Sequence, residues 1–122
     1  MFQVQIEGWF SAAHQLRMRD GAFEPLHGHN WRVVVTFEGG TLDGEDLLVD
    51  FTVAQPRLAD LLRRMHDRCL NELPEFAARN PSAESVAVVV AEHMKADLPP
   101  GVRVQCVSVE EAPGCTARYL PA

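Results

Sequence analysis

The residues with the clearest chemical potential are the histidines of a short H-x-H pair, His27 and His29. On a β-strand, residues two apart project to the same face, so both imidazoles can bind one metal ion. His14 lies at the end of the preceding predicted strand, and the return of the chain in an antiparallel pair brings it beside His27. Catalytic zinc usually takes three protein ligands and keeps a fourth position open. The spacing therefore predicts a metal site on His14, His27 and His29.

The two remaining histidines, His66 and His93, fall in segments that the pattern predicts to be helical. A lone histidine is more often solvated or hydrogen-bonded in a core than bound to a metal, and an H-x-H pair by itself is a weak signal. The position of His14 beside this pair in the predicted hairpin makes a metal site the better explanation of the three histidines. Taken alone, His66 and His93 are better explained as structural or solvated residues.

The composition is that of an ordinary globular domain. The chain has 122 residues, 47% of them hydrophobic and 23% charged, with a formal net charge of −6. We therefore expect a single domain over residues 1–122. The acidic balance argues against a general nucleic-acid binder, which needs a basic stripe to neutralise phosphates. It leaves room for a phosphorylated small substrate, which needs only a local cationic patch.

The cysteines and the N-terminal segment bear on the compartment. Cys69, Cys106 and Cys115 are odd in number and have no C-x-x-C spacing, which argues against a disulfide framework. The first ten residues lack the basic start and apolar run of a secretory signal, and no apolar stretch is long enough to span a membrane. We expect a cytoplasmic protein with no membrane partner.

Alternation of apolar and polar side chains indicates the strands that position the histidines. Residues 2–7 alternate, and the pattern can continue to residue 14 with a bulge near Gly8. Residues 15–26 lose all periodicity and predict a loop. A second strand, rich in β-branched and aromatic residues, spans about 27–38, and a last strand spans 102–111.

Two helices are predicted between the second and the last strand. The first begins near Thr52, which forms a capping-box pair with Gln55, and its apolar residues continue at helical spacing to Cys69. Ser82 caps a second helix over 83–97. This order of elements predicts an α+β fold with both helices on one face of an antiparallel sheet. In a monomer the other face of the sheet would stay uncovered.

Short motifs along nearly the whole chain resemble those of the 6-pyruvoyl-tetrahydropterin synthase and 6-carboxytetrahydropterin synthase family. The first two, FSAAH at residues 10–14 and LHGHN at residues 26–30, contain the three candidate ligands. Each motif is common alone, but their combination in the family's order is specific. The others are Val49-Asp50-Phe51, Leu70-Asn71, Pro81-Ser82-Ala83-Glu84, Glu111-Ala112-Pro113 and Ala117-Arg118-Tyr119.

This resemblance implies the tunnelling fold, in which antiparallel four-stranded sheets with two helices join between subunits into a barrel. The implied assembly is a homo-oligomer, usually a hexamer built from two trimers. The resemblance also implies zinc (Zn2+) on His14, His27 and His29. It implies that Glu111 anchors the pterin, because an ionised carboxylate can accept from the amino group and the ring N–H together. Without the resemblance, Glu111 would be taken for a charged strand end.

The implied substrate is 7,8-dihydroneopterin triphosphate, and one departure from the family concerns the base that acts on it. The usual base is a cysteine in a C-x-x-x-H-G-H motif, and Phe23 occupies that position here. Glu24 instead forms an E-x-x-H-G-H pattern, which resembles the type III branch in which glutamate replaces the cysteine. The enzymes of that branch are lyases that form 6-hydroxymethyl-7,8-dihydropterin for folate synthesis. We therefore expect Glu24 to be catalytic rather than an ordinary loop carboxylate.

A second departure concerns the Asp-His pair that family members carry before x-x-Leu-Asn. This chain has His66-Asp67 at that place, so the two residue types are exchanged. Adjacent side chains on a helix point about 100° apart, and the pattern does not decide which of them reaches the substrate. His66 and Asp67 are therefore candidate catalytic residues as a pair.

Other functions remain open on the sequence alone. The same fold also makes 6-carboxytetrahydropterin or 6-pyruvoyltetrahydropterin, although the missing cysteine counts against both. A non-catalytic pterin- or purine-binding module is a further alternative, which the exchanged His66-Asp67 pair leaves open. A plain histidine-ligated zinc hydrolase is the weakest, because nothing beyond the metal site favours it.

Overall fold

Two long strands form the centre of the computed structural model, which describes all 122 residues. Strand β1 spans Phe2–His14 and strand β2 spans His27–Gly39. They pair antiparallel in one unbroken register, from Phe2 opposite Gly39 to His14 opposite His27. The predicted bulge near Gly8 is wrong. Gly8 instead packs closely on α1, because a Cβ there would come within 2.6 Å of Leu62 Cδ1 and the leucine side chain would have to shift.

The complete sheet has five strands, in the order β3-β1-β2-β4-β5. Strand β4 spans Arg103–Ala112 and strand β5 spans Cys115–Tyr119. The four long strands are antiparallel, as expected, but the two-residue β3, Arg68–Cys69, pairs parallel with β1. The α+β class is confirmed, while the count of four strands in a purely antiparallel sheet needs this correction. A two-residue strand is too short to leave an alternating pattern.

Helix α1 spans Phe51–Met65 and helix α2 spans Ala83–Met94. Because α1 packs on β1, α2 packs on β4 and β5, and the helices touch each other, both cover one face of the sheet. The predicted Ser82 cap is confirmed, with its hydroxyl accepting from the Ser85 N–H at 3.1 Å. Helix α2 ends three residues before the predicted end at residue 97.

The predicted start and end of α1 are wrong in detail. Asp50, not Thr52, caps the helix, since its carboxylate accepts from the Thr52 N–H at 2.9 Å. Gln55 does not complete a capping box, because its amide donates to the Glu7 carbonyl. The helix ends at Met65, so Cys69 belongs to β3. Two short 3-10 helices, Leu70–Glu72 and Pro74–Phe76, lie between β3 and α2.

The core lies between the helices and one face of the sheet. Phe10 and Trp31 stack within it at a ring-centroid distance of 5.5 Å, and the Trp31 indole donates to the Ala12 carbonyl. His14 shares the parity of Phe10 along β1 and is only 1% exposed, so the first candidate ligand lies on the helix-covered face. Trp9 on the opposite face is 58% exposed. None of the helices is both long and apolar enough to cross a membrane.

Candidate active site

The paired ends of β1 and β2 bring three histidines together. His14 and His27 are register partners, and His29 follows two residues later on the same face of β2. One potential ligand nitrogen from each ring lies within 4.8 Å of the others. The rings of His14 and His27 meet edge-on, with centroids 4.7 Å apart. The structure thus places all three predicted metal ligands in one cluster.

The hydrogen bonds of two of these rings fix which nitrogen is free. His14 donates from Nδ1 to the Pro81 carbonyl at 2.7 Å, and His27 donates from Nδ1 to the Pro25 carbonyl at 2.8 Å. A carbonyl can only accept, so each neutral ring carries its proton on Nδ1 and a lone pair on Nε2. A backbone carbonyl behind the ring in this way orients a metal-binding histidine.

The free nitrogens of the cluster have the chemistry of a cation site. Nε2 of His14 and Nε2 of His27 lie 3.1 Å apart, and two lone pairs at that distance repel unless a cation stands between them. Nε2 of His29 is buried and has no hydrogen-bond partner. Such an atom is costly to bury, and a metal ion would satisfy it. Burial also lowers the pKa of His29, which favours the neutral form that ligates metals.

Glu111 faces the same cluster from the end of β4. Its Oε1 lies 3.2 Å from Nε2 of His14, and its Oε2 lies 3.9 Å from Nε2 of His29. The register of β4 with β5 shifts between Glu110 and Ala112, and such a bulge re-aims the side chain it contains. Burial has the largest effect on the pKa of His29 and lowers it, whereas the negative charge of Glu111 has a smaller effect and raises it. The carboxylate can therefore balance a bound cation or accept hydrogen bonds from a ligand beside it.

A cleft of about 890 Å³ opens beside the histidine cluster and Glu111. Its volume suits a small molecule of the size of a pterin with a side chain. Sequence reasoning missed Ser11 and Asn30 as cleft residues, although both lie within the motifs that contain the ligands. The Ser11 hydroxyl donates to Asn30 Oδ1 at 2.6 Å. The polar or charged residues that line the cleft are Ser11, His29, Asn30, Asp67, Arg68, Glu110 and Glu111.

His66 and Asp67 follow helix α1 rather than lying within it, so the expected helical geometry of this pair is wrong. His66 is the C-terminal cap of α1, and Asp67 has a positive φ of 58°. The Asp67 N–H donates to the Ser11 carbonyl at 2.7 Å, which begins the parallel pairing of β3 with β1. The turn brings the two side chains into contact instead of separating them.

The contacts of this pair distinguish its two members. Nδ1 of His66 accepts from the Ser11 N–H at 3.0 Å, so the neutral ring carries its proton on Nε2. That Nε2 lies 3.3 Å from Asp67 Oδ2. Asp67 lines the cleft, whereas His66 lines a separate depression between β1 and α1. Asp67 is therefore the member that a molecule in the cleft can touch.

Glu24 lies in the loop before β2 and is not on the wall of the cleft. Its Oε1 accepts from the Leu16 N–H at 3.1 Å, and its own N–H donates to the Leu16 carbonyl at 3.0 Å. The negative charge of Glu24 also raises the pKa of His29, but its effect is the smallest of those that act on this ring. The structure thus places Glu24 within electrostatic reach of a candidate ligand, with one carboxylate oxygen engaged by the loop.

The fold and the site together match a known family. The family model described as 6-pyruvoyl tetrahydropterin synthase matches residues 3–122. The chain therefore belongs to the 6-pyruvoyl tetrahydropterin synthase family, and the resemblance noted in the sequence is confirmed. Members of this family process pterins enzymatically, so this protein is a pterin-processing enzyme.

Particular relatives differ in the reaction that they are named for. The chain is 28% identical to a dihydroneopterin monophosphate aldolase of Pyrococcus furiosus, over 84% of this chain and 82% of that protein. It is 30% identical to a 6-carboxy-5,6,7,8-tetrahydropterin synthase of Synechocystis sp., over 98% of this chain and 94% of that protein. The 6-pyruvoyl tetrahydropterin synthase of Caenorhabditis elegans has the same fold, with a TM-score of 0.83 at 21% identity over 99% of this chain and 96% of that one.

Proposed function

We propose that this protein is a zinc-dependent lyase that converts 7,8-dihydroneopterin triphosphate to 6-hydroxymethyl-7,8-dihydropterin. The observation that carries the proposal is Glu24, which forms the E-x-x-H-G-H pattern in a loop without cysteine and lies within electrostatic reach of His29. The Pyrococcus furiosus relative supports it, because an aldolase acting on a dihydroneopterin phosphate breaks the same kind of carbon–carbon bond. A structural neighbour from Plasmodium vivax was studied as a variant in which its catalytic glutamate is replaced by alanine.

Three imidazoles without a thiolate suit zinc in a catalytic site, where they leave a position for substrate. His14, His27 and His29 would hold the ion, and the Pro81 and Pro25 carbonyls behind two of the rings would fix their orientation. When bound, zinc would polarise the side-chain oxygens of the substrate and make a hydroxyl more acidic.

The pterin ring is proposed to lie in the cleft, anchored by Glu111. Two oxygens of one carboxylate can accept from the amino group and the neighbouring ring N–H of a pterin. Glu111 is 29% exposed, so its hydrogen bonds to a ligand would be partly shielded from water. This placement sets the substrate's side chain beside the histidine cluster.

The proposed reaction is a retro-aldol cleavage of the substrate's side chain. Glu24 removes the proton from the hydroxyl on the second side-chain carbon, and that carbon becomes an aldehyde. The bond between the first and second carbons breaks, and its electron pair passes to the first carbon and the conjugated ring. Asp67, in contact with the Nε2–H of His66, relays a proton from water in the cleft to the first carbon, and Glu24 returns the proton that it removed to solvent. The products are the hydroxymethyl pterin and a phosphorylated two-carbon aldehyde, so the atoms balance without an oxidant.

The phosphate content of the substrate is a separate part of the proposal. The family resemblance favours the triphosphate, whereas the Pyrococcus furiosus relative is named for a monophosphate. Both compounds carry the same two hydroxyls, so the same cleavage serves either. We propose the triphosphate, and both compounds belong in the assay.

A 6-carboxytetrahydropterin synthase is the second candidate. The 30% identity to the Synechocystis sp. protein over nearly the whole chain favours it. The loop between β1 and β2 contains no cysteine, which counts against both this activity and 6-pyruvoyltetrahydropterin synthesis. The intact histidine cluster counts against a binding module without turnover.

We also propose that the protein is a homo-oligomer, specifically a hexamer built from two trimers. The face of the sheet that the helices leave uncovered contains the exposed Trp9, and β3 and β5 leave two open edges. An unpaired edge is a template for pairing with another copy of the chain. Closing the sheets of several copies into a barrel would satisfy both features.

Product identification tests the proposed reaction. Metal-loaded wild-type protein is incubated with the dihydroneopterin triphosphate and, separately, the monophosphate, and the pterins are separated by chromatography. We expect 6-hydroxymethyl-7,8-dihydropterin as the main product. The Glu24→Ala variant should lose roughly 10²–10⁴-fold in turnover, the range for a positioned acid–base group, while keeping its metal.

The matched control is Glu45→Ala, which removes an exposed carboxylate from the loop between β2 and α1. A mainly 6-carboxy or 6-pyruvoyl product, or full activity of Glu24→Ala, contradicts the proposal.

A further inference from the structure

A second cavity, of about 480 Å³, is lined by three arginines. Arg17 and Arg19 come from the loop that follows β1, and Arg79 comes from the loop that precedes α2. No carboxylate is among the residues that line it. The chain as a whole is acidic, with a net charge of −6, whereas this cavity has three positively charged side chains and no carboxylate. The cavity is a local cationic patch of the kind that an anionic ligand requires.

Two asparagines on the wall of this cavity each form two hydrogen bonds, one to the N–H and one to the carbonyl of a single residue in the loop after β1. Asn80 accepts from the Arg17 N–H at 2.8 Å and donates to the Arg17 carbonyl at 2.9 Å. Asn71 accepts from the Gln15 N–H at 3.0 Å and donates to the Gln15 carbonyl at 2.8 Å. These paired bonds tie the loop after β1 to the segment between α1 and α2. The backbone that carries Arg17 is therefore held in place relative to the loop that carries Arg79.

The three guanidinium groups are free to bind a ligand. Elsewhere in the chain, Arg32, Arg63, Arg64 and Arg103 each pair with a carboxylate. Arg17, Arg19 and Arg79 have no such partner, and Glu75, in the 3-10 helix beside the cavity, is already paired with Arg64. The Arg17 guanidinium lies over the Phe23 ring at 5.3 Å, which holds it near the cavity without using its donors.

The cavity is connected to the candidate metal site through two short covalent links. Gln15 on its wall directly follows the ligand His14. Asn80 on its wall directly precedes Pro81, whose carbonyl accepts from Nδ1 of His14. The loop that carries Arg17 and Arg19 therefore begins directly at the ligand His14, and the loop that carries Arg79 contacts His14 through Pro81.

We propose that this cavity binds the phosphate tail of the substrate. The inference rests on the proposed function, in which a pterin lies in the first cleft with its side chain at the histidine cluster. The tail leaves the side chain on the far side from the pterin ring, and its charge requires cations. Guanidinium groups match phosphate oxygens with paired N–H donors, which makes arginine well suited to this role. Arg17, Arg19 and Arg79 thus form a phosphate subsite that selects phosphorylated over unphosphorylated pterins.

Binding without turnover tests this subsite. Calorimetry measures the affinity of the metal-loaded protein for inorganic tripolyphosphate, for neopterin triphosphate and for neopterin, the last two being oxidised analogues. We expect neopterin triphosphate to bind more tightly than neopterin. The Arg17→Gln/Arg79→Gln double variant should lose at least about 10-fold in affinity for the triphosphates, the effect of losing hydrogen bonds to a charged group. Its affinity for neopterin should not change, and Arg79→Gln alone should show a smaller loss.

The matched control is Arg63→Gln, which removes the same charge from an exposed pair with Asp60 on α1. It should leave all three affinities unchanged. Equal affinity of wild type for neopterin and its triphosphate would overturn the inference, even if tripolyphosphate binds. So would an unchanged triphosphate affinity in the folded double variant, with folding checked by circular dichroism. Because no turnover is measured, a wrong product assignment in the activity assay leaves this result intact, and the two failures can be told apart.

Discussion

The Nε2 atoms of His14 and His27 lie 3.1 Å apart, while each ring donates its Nδ1–H to a backbone carbonyl. The two carbonyls fix the tautomers, so two lone pairs converge on one point. His29 adds a buried nitrogen without a hydrogen-bond partner. This convergence is the physical basis for expecting a cation at the centre of the site.

Removal of any one of these ligands should release the metal. We expect close to one zinc per chain in protein purified without a chelator, measured by mass spectrometry of the metal. His27→Ala and His29→Ala should each lose it, since a site with two protein ligands binds zinc much more weakly than one with three. His93→Ala, on α2 and outside the cluster, is the control. Full zinc retention in both cluster variants would show that the assigned ligands are wrong.

Glu111→Gln should weaken the binding of a pterin much more than the binding of zinc. An amide presents a donor where the pterin needs an acceptor, and a hydrogen bond to a charged group contributes roughly 1.5–3 kcal/mol. Calorimetry with biopterin and a parallel metal assay measure the two effects. Glu110→Gln removes the same charge from the adjacent residue and should have a smaller effect on pterin affinity. If Glu111→Gln instead loses zinc and keeps its pterin affinity, the carboxylate is a metal ligand and not the pterin anchor.

Asp67→Asn should reduce kcat more than His66→Gln does. Asp67 lines the cleft, whereas His66 acts through it, with Nε2 at 3.3 Å from Oδ2. Loss of a positioned acid–base group lowers the rate by about 10²–10⁴-fold. Steady-state kinetics over a range of pH should show an altered pH profile for both variants, with little change in KM. Near-normal turnover of Asp67→Asn beside an inactive His66→Gln would reverse the proposed roles.

Light scattering should find a particle of about six chains at working concentration. Replacing the exposed Trp9 on the uncovered sheet face with glutamate should shift the protein towards smaller species, since a charge there opposes burial against another copy. Val53→Glu, at an exposed position on α1, provides the comparison. A stable wild-type monomer would contradict the proposed assembly.

Asp50 should make stability depend on pH through the cap of α1. Hydrogen bonds from the Thr52 hydroxyl and then its N–H lower the pKa of Asp50. A group whose pKa is depressed in the folded state contributes stability above its ordinary pKa, and this is lost as the pH falls through the lowered pKa. Asp50→Ala should therefore lower Tm near neutral pH, and the difference from wild type should shrink in acid.

The comparison variant for the cap is Asp50→Asn. Asparagine caps helices about as well as aspartate but does not titrate in this range. Its Tm near neutral pH should stay close to that of wild type, and the part of the acid dependence due to the cap should disappear. Thermal melts followed by circular dichroism at several pH values measure both variants. An equal Tm for Asp50→Ala and wild type near neutral pH would mean that the cap contributes nothing.

The periodic features within single strands and helices of this protein could be predicted from its sequence. Alternation along β1 and β2 placed His27 and His29 on one face, and the hairpin return placed His14 beside them, because side-chain direction repeats every two residues on a strand. Helical spacing likewise indicated α1 and α2. The ordered motifs identified the family.

Contacts between distant segments determine which other groups surround the residues that the sequence indicated. The Pro81 carbonyl reaches His14 across 67 residues, and the bulge of β4 turns Glu111 towards the cluster. Pairing of β3 with β1 forces the turn that sets Asp67, rather than His66, in the cleft. Each of these placements depends on contacts between segments distant in the chain, and periodicity contains no information about such contacts because it describes only neighbours within one element.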